Sequence, residues 1–274
     1  DESSGTTAAD SSGNGLTATT TSSTTWITGV SGNAANNPKF TLADSSSLVL
    51  TGQAAYTISL WAKPAGNDNY AILAGFEGTG TTGDRYGLKI NTDAGPDGTI
   101  VLAQGGSYTA VSTDTIEGFS GAGDDWVHIV GVNDPVAGAS YLYINGVLDD
   151  SGSVVNIPDP ASAEWTMGTY WNSGSYDFTG ALDDVQVYDE ALSAEDVAYL
   201  YSNPGSPLSS VTSLPFDDWS ATHISAIDPE ADASFSGNPD GDPFANGLEW
   251  ILGGNPLDFD SAADLLAFSG DSST

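Results

Sequence analysis

The chain has no cysteine, very few basic residues and no apolar run long enough to cross a membrane. Without cysteine there is no disulfide framework and no thiolate metal site. A bilayer-spanning helix needs an apolar run of about 18 residues or more, so no membrane insertion is expected. The only bases are Lys39, Lys63, Arg85 and Lys89, against 37 acids, for a net charge of −33. Because nucleic acids and anionic membranes attract clustered Lys and Arg, neither is an expected partner.

Aspartate and aromatic residues are what the chain has in quantity. Its 274 residues are 39% hydrophobic and include seven Trp, eleven Tyr and nine Phe, which suffices for a packed core. Aspartate is a poor helix former and a good ligand for divalent cations. We therefore interpret the acidity as surface charge that maintains solubility at high salt, as several cation sites, or as both.

Up to about residue 190 the sequence predicts short β-strands. Apolar residues alternate with polar ones, and Gly, Asn and Asp clusters separate the runs without any helical pattern between them. This predicts an all-β antiparallel sandwich, with a two-residue hairpin turn at Asn145–Gly146. The expected strands lie within 56–64, 70–77, 86–91, 99–104, 126–132, 140–150, 164–170 and 178–190.

A single clear helix follows the strands. Ser193 is suited to cap it, Asp196 stands three residues later as in a capping box, and Asn203–Pro204–Gly205 ends it. The chain begins without Met and stops within a pattern, so we expect it to be a piece of a longer protein. We divide it into a β domain at 1–205, a linker at 206–215, a helix–loop–helix at 216–260 and the truncated start of a further segment at 261–274.

Three parts of the β domain resemble the LamG-like jelly roll of the concanavalin A-like lectin/glucanase superfamily. They are the opening strand and turn at 1–15, the middle strands at 56–64, 124–132 and 141–150, and "FTGALDDVQVYDEALSAEDVAYLYSNPG" at 178–205. The resemblance implies a jelly roll across residues 1–205. Residues 216–259 are similar to the acidic tails that follow such domains in bacterial secreted and surface proteins, with loops like those of dockerins and thrombospondin type 3 repeats.

The acidic loop of this tail has the oxygen spacing of an EF-hand. Counting from Asn238, ligand oxygens fall at positions 1, 3, 5, 7, 9 and 12. They belong to Asn238, Asp240, Asp242, the Phe244 carbonyl, Asn246 and Glu249. Position 6, where the EF-hand has Gly, holds Pro243, whose φ is restricted to about −65°. We expect Ca²⁺ to bind this loop, and a metal-free acidic turn is the alternative.

The resemblance implies a second Ca²⁺ on the outside of the sandwich. Its ligands would be Asp10 and Asn14 together with Asp183 or Asp184. Adjacent residues of a regular strand face opposite ways, so we expect only one of the last two to be a ligand. In the alternative, Asp10 and Asn14 shape an Asx turn and one of the other acids lies at a sheet edge.

Catalysis is not expected. Glycoside hydrolases of this fold carry E-x-D-x-x-E or E-x-D-x-E on one strand, which places paired carboxylates on one face, and the chain has neither. The histidines, His128 and His223, lie in different predicted domains. We assign His128 a packing role within its strand.

A sugar-binding loop is expected between two strands. Tyr170, Trp171 and Tyr176 surround a Gly/Ser/Asn segment, and aromatic rings on loops are suited to stack against sugar faces. The alternative is that Trp171 covers a hydrophobic edge. Arg85 and Tyr86 are a weaker suggestion of the same kind.

These features predict a secreted or cell-surface binding module without catalytic activity, stabilised by Ca²⁺. Its expected partner is a polysaccharide or a cell-surface glycan, bound in recognition or adhesion. One alternative is a structural unit of a surface layer or filament, which associates with copies of itself or with neighbouring domains. Another is an ancillary module of a polysaccharide-degrading enzyme.

Calcium binding predicts a metal-dependent thermal stability. The unfolding midpoint should be higher in Ca²⁺ than in chelator, since a ligand present at about 100 times its Kd adds about 2.7 kcal/mol. Differential scanning calorimetry measures the unfolding midpoints of the β domain and of the helix–loop–helix. Magnesium is the control, because any divalent ion relieves self-repulsion at this net charge. Midpoints that are unchanged by Ca²⁺, or raised equally by Mg²⁺, would contradict specific sites.

Overall fold

A computed structural model describes the β domain and little beyond it. The described residues are 2–20, 24–42, 46–66, 70–78, 86–90, 98–113, 125–157, 163–170 and 176–208, with Ile224 and Ala231 as isolated positions. The chain divides into two compact units, one at 1–207 and a second at 208–274. The expected helix–loop–helix lies outside the described residues apart from those two positions, so it stays a prediction.

Fifteen strands, one short 3₁₀ turn at Ser46–Leu48 and one helix, α1, make up the described structure. The helix is Ala194–Ser202. The strands are β1 Thr7–Ala8, β2 Ala18–Thr19, β3 Thr25–Thr28, β4 Asn33–Asn36, β5 Phe40–Leu42, β6 Tyr56–Pro64, β7 Ile72–Gly78, β8 Tyr86–Ile90, β9 Ile100–Gln104, β10 Ser107–Val111, β11 Val127–Asp134, β12 Ala139–Ile144, β13 Val147–Ser153, β14 Ala163–Met167 and β15 Gly180–Tyr188.

The strands form two antiparallel sheets, and the expected sandwich is confirmed. Sheet A has the order β1-β2-β5-β14-β7-β8-β9-β10, and sheet B has the order β13-β12-β11-β6-β15-β4-β3. Each expected strand corresponds to an observed one, or to the β12–β13 hairpin, within about three residues at its ends. No helix in the described part of the chain has the length and apolar character needed to cross a bilayer.

Aromatic side chains from both sheets fill the core. The Tyr86 ring centroid lies 4.6 Å from that of Tyr56, 5.8 Å from that of Trp165 and 6.0 Å from that of Phe76. Tyr86 is fully buried and its hydroxyl donates to the Leu48 carbonyl. The suggestion that Tyr86 contacts a sugar is therefore wrong, because inward alternation on β8 places its ring in the core. Arg85 lies outside the described residues.

Strand β6 is buried on both faces. Tyr56, Ile58 and Leu60 belong to the core, and Thr57 on the opposite face is equally buried. The Thr57 hydroxyl donates to the Glu190 carbonyl at 2.8 Å and accepts from the Leu192 N–H at 3.1 Å. The segment that connects β15 to α1 therefore crosses the outer face of sheet B.

Both local signals identified in the sequence are confirmed. Asn145 and Gly146 have φ values of +51° and +77°, which are the two positive values that a type I′ hairpin turn requires. At the start of α1, the Ser193 hydroxyl accepts from the Asp196 N–H, and the Asp196 carboxylate accepts from the Ser193 N–H. These two bonds form the expected capping box.

His128 packs beneath α1 on the outer face of sheet B. Its Nε2 lies 2.9 Å from the Ser59 hydroxyl, and its ring centroid lies 5.0 Å from Trp61 and 5.9 Å from Tyr201. The expected packing role of His128 is confirmed. Burial lowers the pKa of His128 to about 4, because the charged imidazolium is poorly solvated there.

Stability should fall as the pH drops from about 6.5 to 4. In this window the unfolded state binds a proton at His128 and the folded state does not, so acidification favours unfolding. The depressed pKa corresponds to a loss on the order of 3 kcal/mol. Urea denaturation of wild type and His128→Gln, whose amide can still bond Ser59, should give a flatter pH profile for the variant.

Identical pH profiles for the two proteins would contradict this role. The comparison is needed because the titration of other groups changes stability in the opposite direction. Desolvation raises the pKa of Asp183, which pairs with Trp61 across β15 and β6, so this carboxyl favours the folded state as pH falls. The difference between the two profiles isolates the imidazole.

Candidate ligand-binding site

Three tyrosines converge at one end of the sandwich. The Tyr176 ring centroid lies 5.5 Å from Tyr170 at an interplanar angle of 85°, and 5.6 Å from Tyr70 at 72°. Both are edge-to-face arrangements, which the quadrupoles of aromatic rings favour. Tyr176 is 39% exposed, and the other two are half-buried. We call Tyr70, Tyr170 and Tyr176 the tyrosine cluster.

Backbone pairing between neighbouring strands brings the cluster together. Tyr70 precedes β7, Tyr170 follows β14, and these strands are neighbours in sheet A. The Gly168 N–H donates to the Leu73 carbonyl at 3.0 Å, which ties the end of β14 to the start of β7. The Ile72 N–H donates to the Tyr176 carbonyl at 3.4 Å. Residues about 100 positions apart along the chain therefore meet.

Tyr70 has a strained backbone. Its φ is +63°, in the left-handed region that bulky L-residues rarely adopt. Such a conformation costs on the order of 1 to 3 kcal/mol and persists only where the surroundings impose it. At this position it accompanies the edge-to-face contact with Tyr176. Strain of this kind concentrates at functional sites, which makes the cluster a candidate site.

An ion pair involves residues that neighbour the tyrosines in the sequence. Lys39, just before β5, pairs with the Asp177 carboxylate, whose other oxygen accepts from the Thr169 hydroxyl at 2.6 Å. The side chains of Lys39 and Asp177 are 38% and 15% exposed. Asp177 follows Tyr176 and Thr169 precedes Tyr170, so the pair is next to the cluster along the chain.

The structure brings together two of the three aromatic residues expected to bind a ligand. Tyr170 and Tyr176 are in ring contact, and Trp171 lies outside the described residues. The sequence pattern does not indicate Tyr70 as a member, because it places this residue at the start of a strand. That strand, β7, begins only at Ile72. The one sequence feature that could indicate Tyr70 is its position between a polar loop and a strand.

Asp10 and Asn14 lie in the opening turn. The Asp10 carboxylate accepts from the Ser12 N–H at 2.8 Å and from the Leu16 N–H at 2.9 Å, and the first bond makes an Asx turn. The Asn14 N–H donates to the Ser12 hydroxyl at 3.3 Å. Desolvation raises the pKa of Asp10, but hydrogen bonds outweigh it and the pKa is lowered. This carboxylate therefore serves the backbone of its own turn.

Asp183 is buried on β15 and joins it to the turn between β3 and β4. One carboxylate oxygen accepts from the Val30 N–H at 2.7 Å and the Ser31 N–H at 3.0 Å. A Cβ at Gly29 would lie 2.1 Å from the same oxygen, so the turn can approach this closely only with glycine there. Desolvation raises the pKa of Asp183 above its usual value.

Asp184 departs from regular strand geometry. Its φ is +45°, and the pairing of β15 with β6 shifts register between Asp183 and Gln186. The expected alternation of Asp183 and Asp184 is therefore wrong, because a bulge interrupts the strand at this point. The Asp184 carboxylate accepts from the Gln186 side chain at 2.8 Å and from the Gly205 N–H at 2.8 Å. It thus holds the chain that follows α1.

Metal binding remains a prediction at both expected sites. Within the described ranges, no three or more His, Cys, Asp or Glu side chains are grouped so as to hold a metal ion. Asp10, Asp183 and Asp184 each bond backbone N–H groups of different segments, so these residues as arranged do not show a fit for Ca²⁺. The EF-hand-like residues Asn238, Asp240, Asp242, Phe244, Asn246 and Glu249 lie outside the described residues.

Comparison with known families agrees with the sandwich fold. Residues 34–198 match the Laminin_G_3 family model, described as the concanavalin A-like lectin/glucanases superfamily. The chain belongs to this superfamily. Its two antiparallel sheets are consistent with a jelly roll, and the match extends from β4 into α1, so it includes Tyr70, Tyr170 and Tyr176.

Individual relatives of this superfamily member are distant. The chain is 29% identical over 173 residues to adhesion G-protein coupled receptor V1 of Danio rerio, covering 59% of this chain and 3% of the receptor. It is similar in structure to the binding domain of Paraclostridial Mosquitocidal Protein 1, with 19% identity, a TM-score of 0.53 and coverage of 70% and 48% of the two chains. The structural similarity establishes the fold alone.

A further similar structure contains a bound carbohydrate. It is domain 4 of AbnA, a GH43 extracellular arabinanase from Geobacillus stearothermophilus, in complex with arabinotriose. The identity is 24%, the TM-score is 0.47, and the match covers 66% of this chain and 82% of that chain.

Gly168 should tolerate alanine poorly. A Cβ at this position would lie 2.3 Å from the Pro38 carbonyl oxygen, and its φ is +71°. Gly138 is a matched control, since it has the same φ of +71° and an added Cβ there would meet no atom within 4 Å. Gly138→Ala should cost about 1 to 2 kcal/mol for the left-handed backbone. Gly168→Ala should cost at least about 2 kcal/mol more, from the clash.

Equilibrium denaturation in urea measures both changes. Equal losses of unfolding free energy in the two variants would contradict the close approach of Gly168 to the Pro38 carbonyl. The near-ultraviolet circular dichroism of the aromatic residues should also change in Gly168→Ala and not in Gly138→Ala. The reason is that the Gly168 carbonyl accepts from the Phe178 N–H at 2.9 Å, which holds the segment next to Tyr176.

Proposed function

We propose that the chain is a non-catalytic extracellular module that binds glycans at the tyrosine cluster. The observation that carries the proposal is the convergence of Tyr70, Tyr170 and Tyr176, with the Tyr176 ring 39% exposed. Exposed aromatic rings beside a few polar groups are the usual composition of a ligand site. The superfamily, whose description joins lectins with glucanases, supports a sugar as the ligand.

The packing of the rings orders Tyr176 for ligand binding. Tyr70 and Tyr170 contact Tyr176 through edge-to-face arrangements, which restrict the rotation of its side chain before any ligand binds. A preordered ring loses less conformational entropy on binding, so more of the stacking free energy appears as affinity. The tyrosine hydroxyls provide polar atoms that can bond sugar hydroxyls.

The charges at the cluster favour binding over hydrolysis. Retaining glycosidases need two carboxyl groups about 5 Å apart, and inverting ones need a wider pair. Among the described residues, Asp177 is the carboxylate next to the cluster in the sequence, and it is paired with Lys39. A carboxylate neutralised in this way is poorly placed to act as a nucleophile or a general acid. We therefore propose recognition without catalysis.

The proposal includes Ca²⁺ binding and an extracellular location. Ca²⁺ at Asp240, Asp242 and Glu249 would bind the acidic loop of the second unit. Glycans on cell surfaces or in polysaccharides are encountered outside the cell, so a secreted or surface-attached protein is the expected setting. An ancillary module of a polysaccharide-degrading enzyme would use the same site.

Assembly is a second candidate function, supported by one observation. Strand β13 lies at the edge of sheet B and exposes Val147 and Leu148 to 68% and 50%. Exposed apolar residues on an edge strand favour pairing with another chain. Partners would be copies of the chain or neighbouring domains. Light scattering after size-exclusion chromatography tests this candidate, and a monomer at all accessible concentrations would remove self-association.

Glycan binding is tested by removing the exposed ring. On a glycan array, wild type should bind a defined set of oligosaccharides, and Tyr176→Ala should lower the affinity at least about tenfold, since it removes the stacking surface. Tyr199→Ala is the matched control, because Tyr199 is 44% exposed on helix α1 and outside the cluster. Failure of wild type to bind any glycan, or equal losses in both variants, would overturn the proposal.

A further inference from the structure

The tyrosine cluster brings together three phenols that can be oxidised. A phenol that loses one electron and its hydroxyl proton becomes a phenoxyl radical, with spin density on the two ring carbons next to the oxygen, the Cε atoms. Two such radicals on neighbouring rings can join through these carbons. The Tyr176 ring centroid lies 5.5 Å from that of Tyr170 and 5.6 Å from that of Tyr70. Because the backbone already holds the rings in contact, rotation about side-chain bonds is the movement that remains.

Exposure distinguishes this cluster from two other tyrosine pairs of the fold. Tyr176 is 39% exposed, so an oxidant in solvent can reach it. The ring centroids of Tyr56 and Tyr86 are closer, at 4.6 Å, but both residues are fully buried. Those of Tyr141 and Tyr143 are 6.5 Å apart, and Tyr143 is 6% exposed. Proximity and access therefore coincide at Tyr176.

Two properties of the whole chain favour coupling within one molecule. The chain has no cysteine, so no thiol is oxidised in preference to the phenols. Its net charge of −33 makes two copies repel each other, which disfavours coupling between chains. Rings held in contact by one fold also meet at an effective concentration far above that of the protein in solution. An oxidised Tyr176 therefore has its own cluster as its nearest source of a second phenol.

We infer that the tyrosine cluster is a site of oxidative cross-linking, in which a bond between two Cε atoms joins Tyr176 to Tyr70 or Tyr170. Each phenol gives up one electron and its hydroxyl proton, and the two radicals form the carbon–carbon bond. The hydrogen on each bonded carbon then passes through solvent to the oxygen of the same ring, which restores both phenols. The product has two hydrogens fewer than the separate tyrosines. A peroxide takes up the two electrons and two protons and gives two waters.

A link to Tyr70 gives this cysteine-free chain the kind of covalent constraint that a disulfide gives other proteins. Tyr70 precedes β7 and Tyr176 precedes β15, and more than 100 residues separate them. Closing so long a loop lowers the entropy of the unfolded chain, so the unfolding midpoint of the cross-linked protein should rise. A link to Tyr170 closes a short loop and should raise the midpoint less.

The test treats the full chain with a haem peroxidase and hydrogen peroxide, and dityrosine fluorescence measures the yield. A protease that cleaves before aspartate places Tyr70 in the peptide 68–83, and both Tyr170 and Tyr176 in the peptide 159–176. In mass spectrometry, a link between Tyr70 and Tyr176 joins the two peptides. A link between Tyr170 and Tyr176 lowers the mass of the second peptide by two hydrogens.

Three variants identify the residues that couple. Tyr176→Phe keeps the ring and removes the hydroxyl, so coupling should be lost while the packing of the cluster is retained. Tyr199→Phe is the matched control, because Tyr199 is 44% exposed on α1 and outside the cluster, and coupling should be unchanged. In Tyr70→Phe/Tyr170→Phe both partners of Tyr176 lose their hydroxyls, and coupling should again be lost.

A monomeric product linked at Tyr176 in wild type and Tyr199→Phe, and absent from the other two variants, supports the inference. Coupling that persists in Tyr176→Phe, or a link between tyrosines outside the cluster, overturns it. So does a product that consists mainly of covalent dimers, or the absence of coupling in wild type. None of these outcomes bears on glycan binding, which the array with Tyr176→Ala tests separately.

Discussion

The pairing of β14 with β5 on one side and β7 on the other is the interaction on which the candidate site depends. It sets Met167 opposite Phe40 and opposite Ala74, so that the end of β14 and the starts of β5 and β7 lie side by side in sheet A. Gly168 continues this alignment by bonding Leu73 beyond the last paired residues. The tyrosines and the ion pair lie close to these strand ends or to that junction, and none of them could meet if the register shifted.

The acidity of the chain has a structural use that neither solubility nor metal binding describes. Several aspartates accept backbone N–H groups in turns and at the ends of strands, where no ladder partner is available. A short carboxylate does this well because its two oxygens can bond two or three N–H groups together. Asp183 connects β15 to the turn at Val30 and Ser31 in this way. The other described examples are Asp10, Asp134, Asp149, Asp150, Asp184 and Asp196.

The same chemistry explains why acidic pairs on the closing strand are difficult to interpret from sequence. The family resemblance predicts Asp183 or Asp184 as a calcium ligand, and adjacent acids suggest a metal. In the structure the bulge turns them toward different backbone groups, one toward the β3–β4 turn and one toward Gly205. Metal ligands and backbone acceptors have the same side chains, so only the position of the partners distinguishes them.

Local features were determined by the sequence itself. The alternating strands, the Asn145–Gly146 turn and the capping box of α1 follow from contacts within a few residues, and each agrees with the structure. The partner of each strand and the bulge at Asp184 depended on tertiary structure. So did the meeting of Tyr70 with Tyr176 and of Lys39 with Asp177, because these pairs are separated by more than 100 residues. Sequence periodicity specifies which face of a strand is buried, whereas the packing of all strands together decides which strand ends become neighbours.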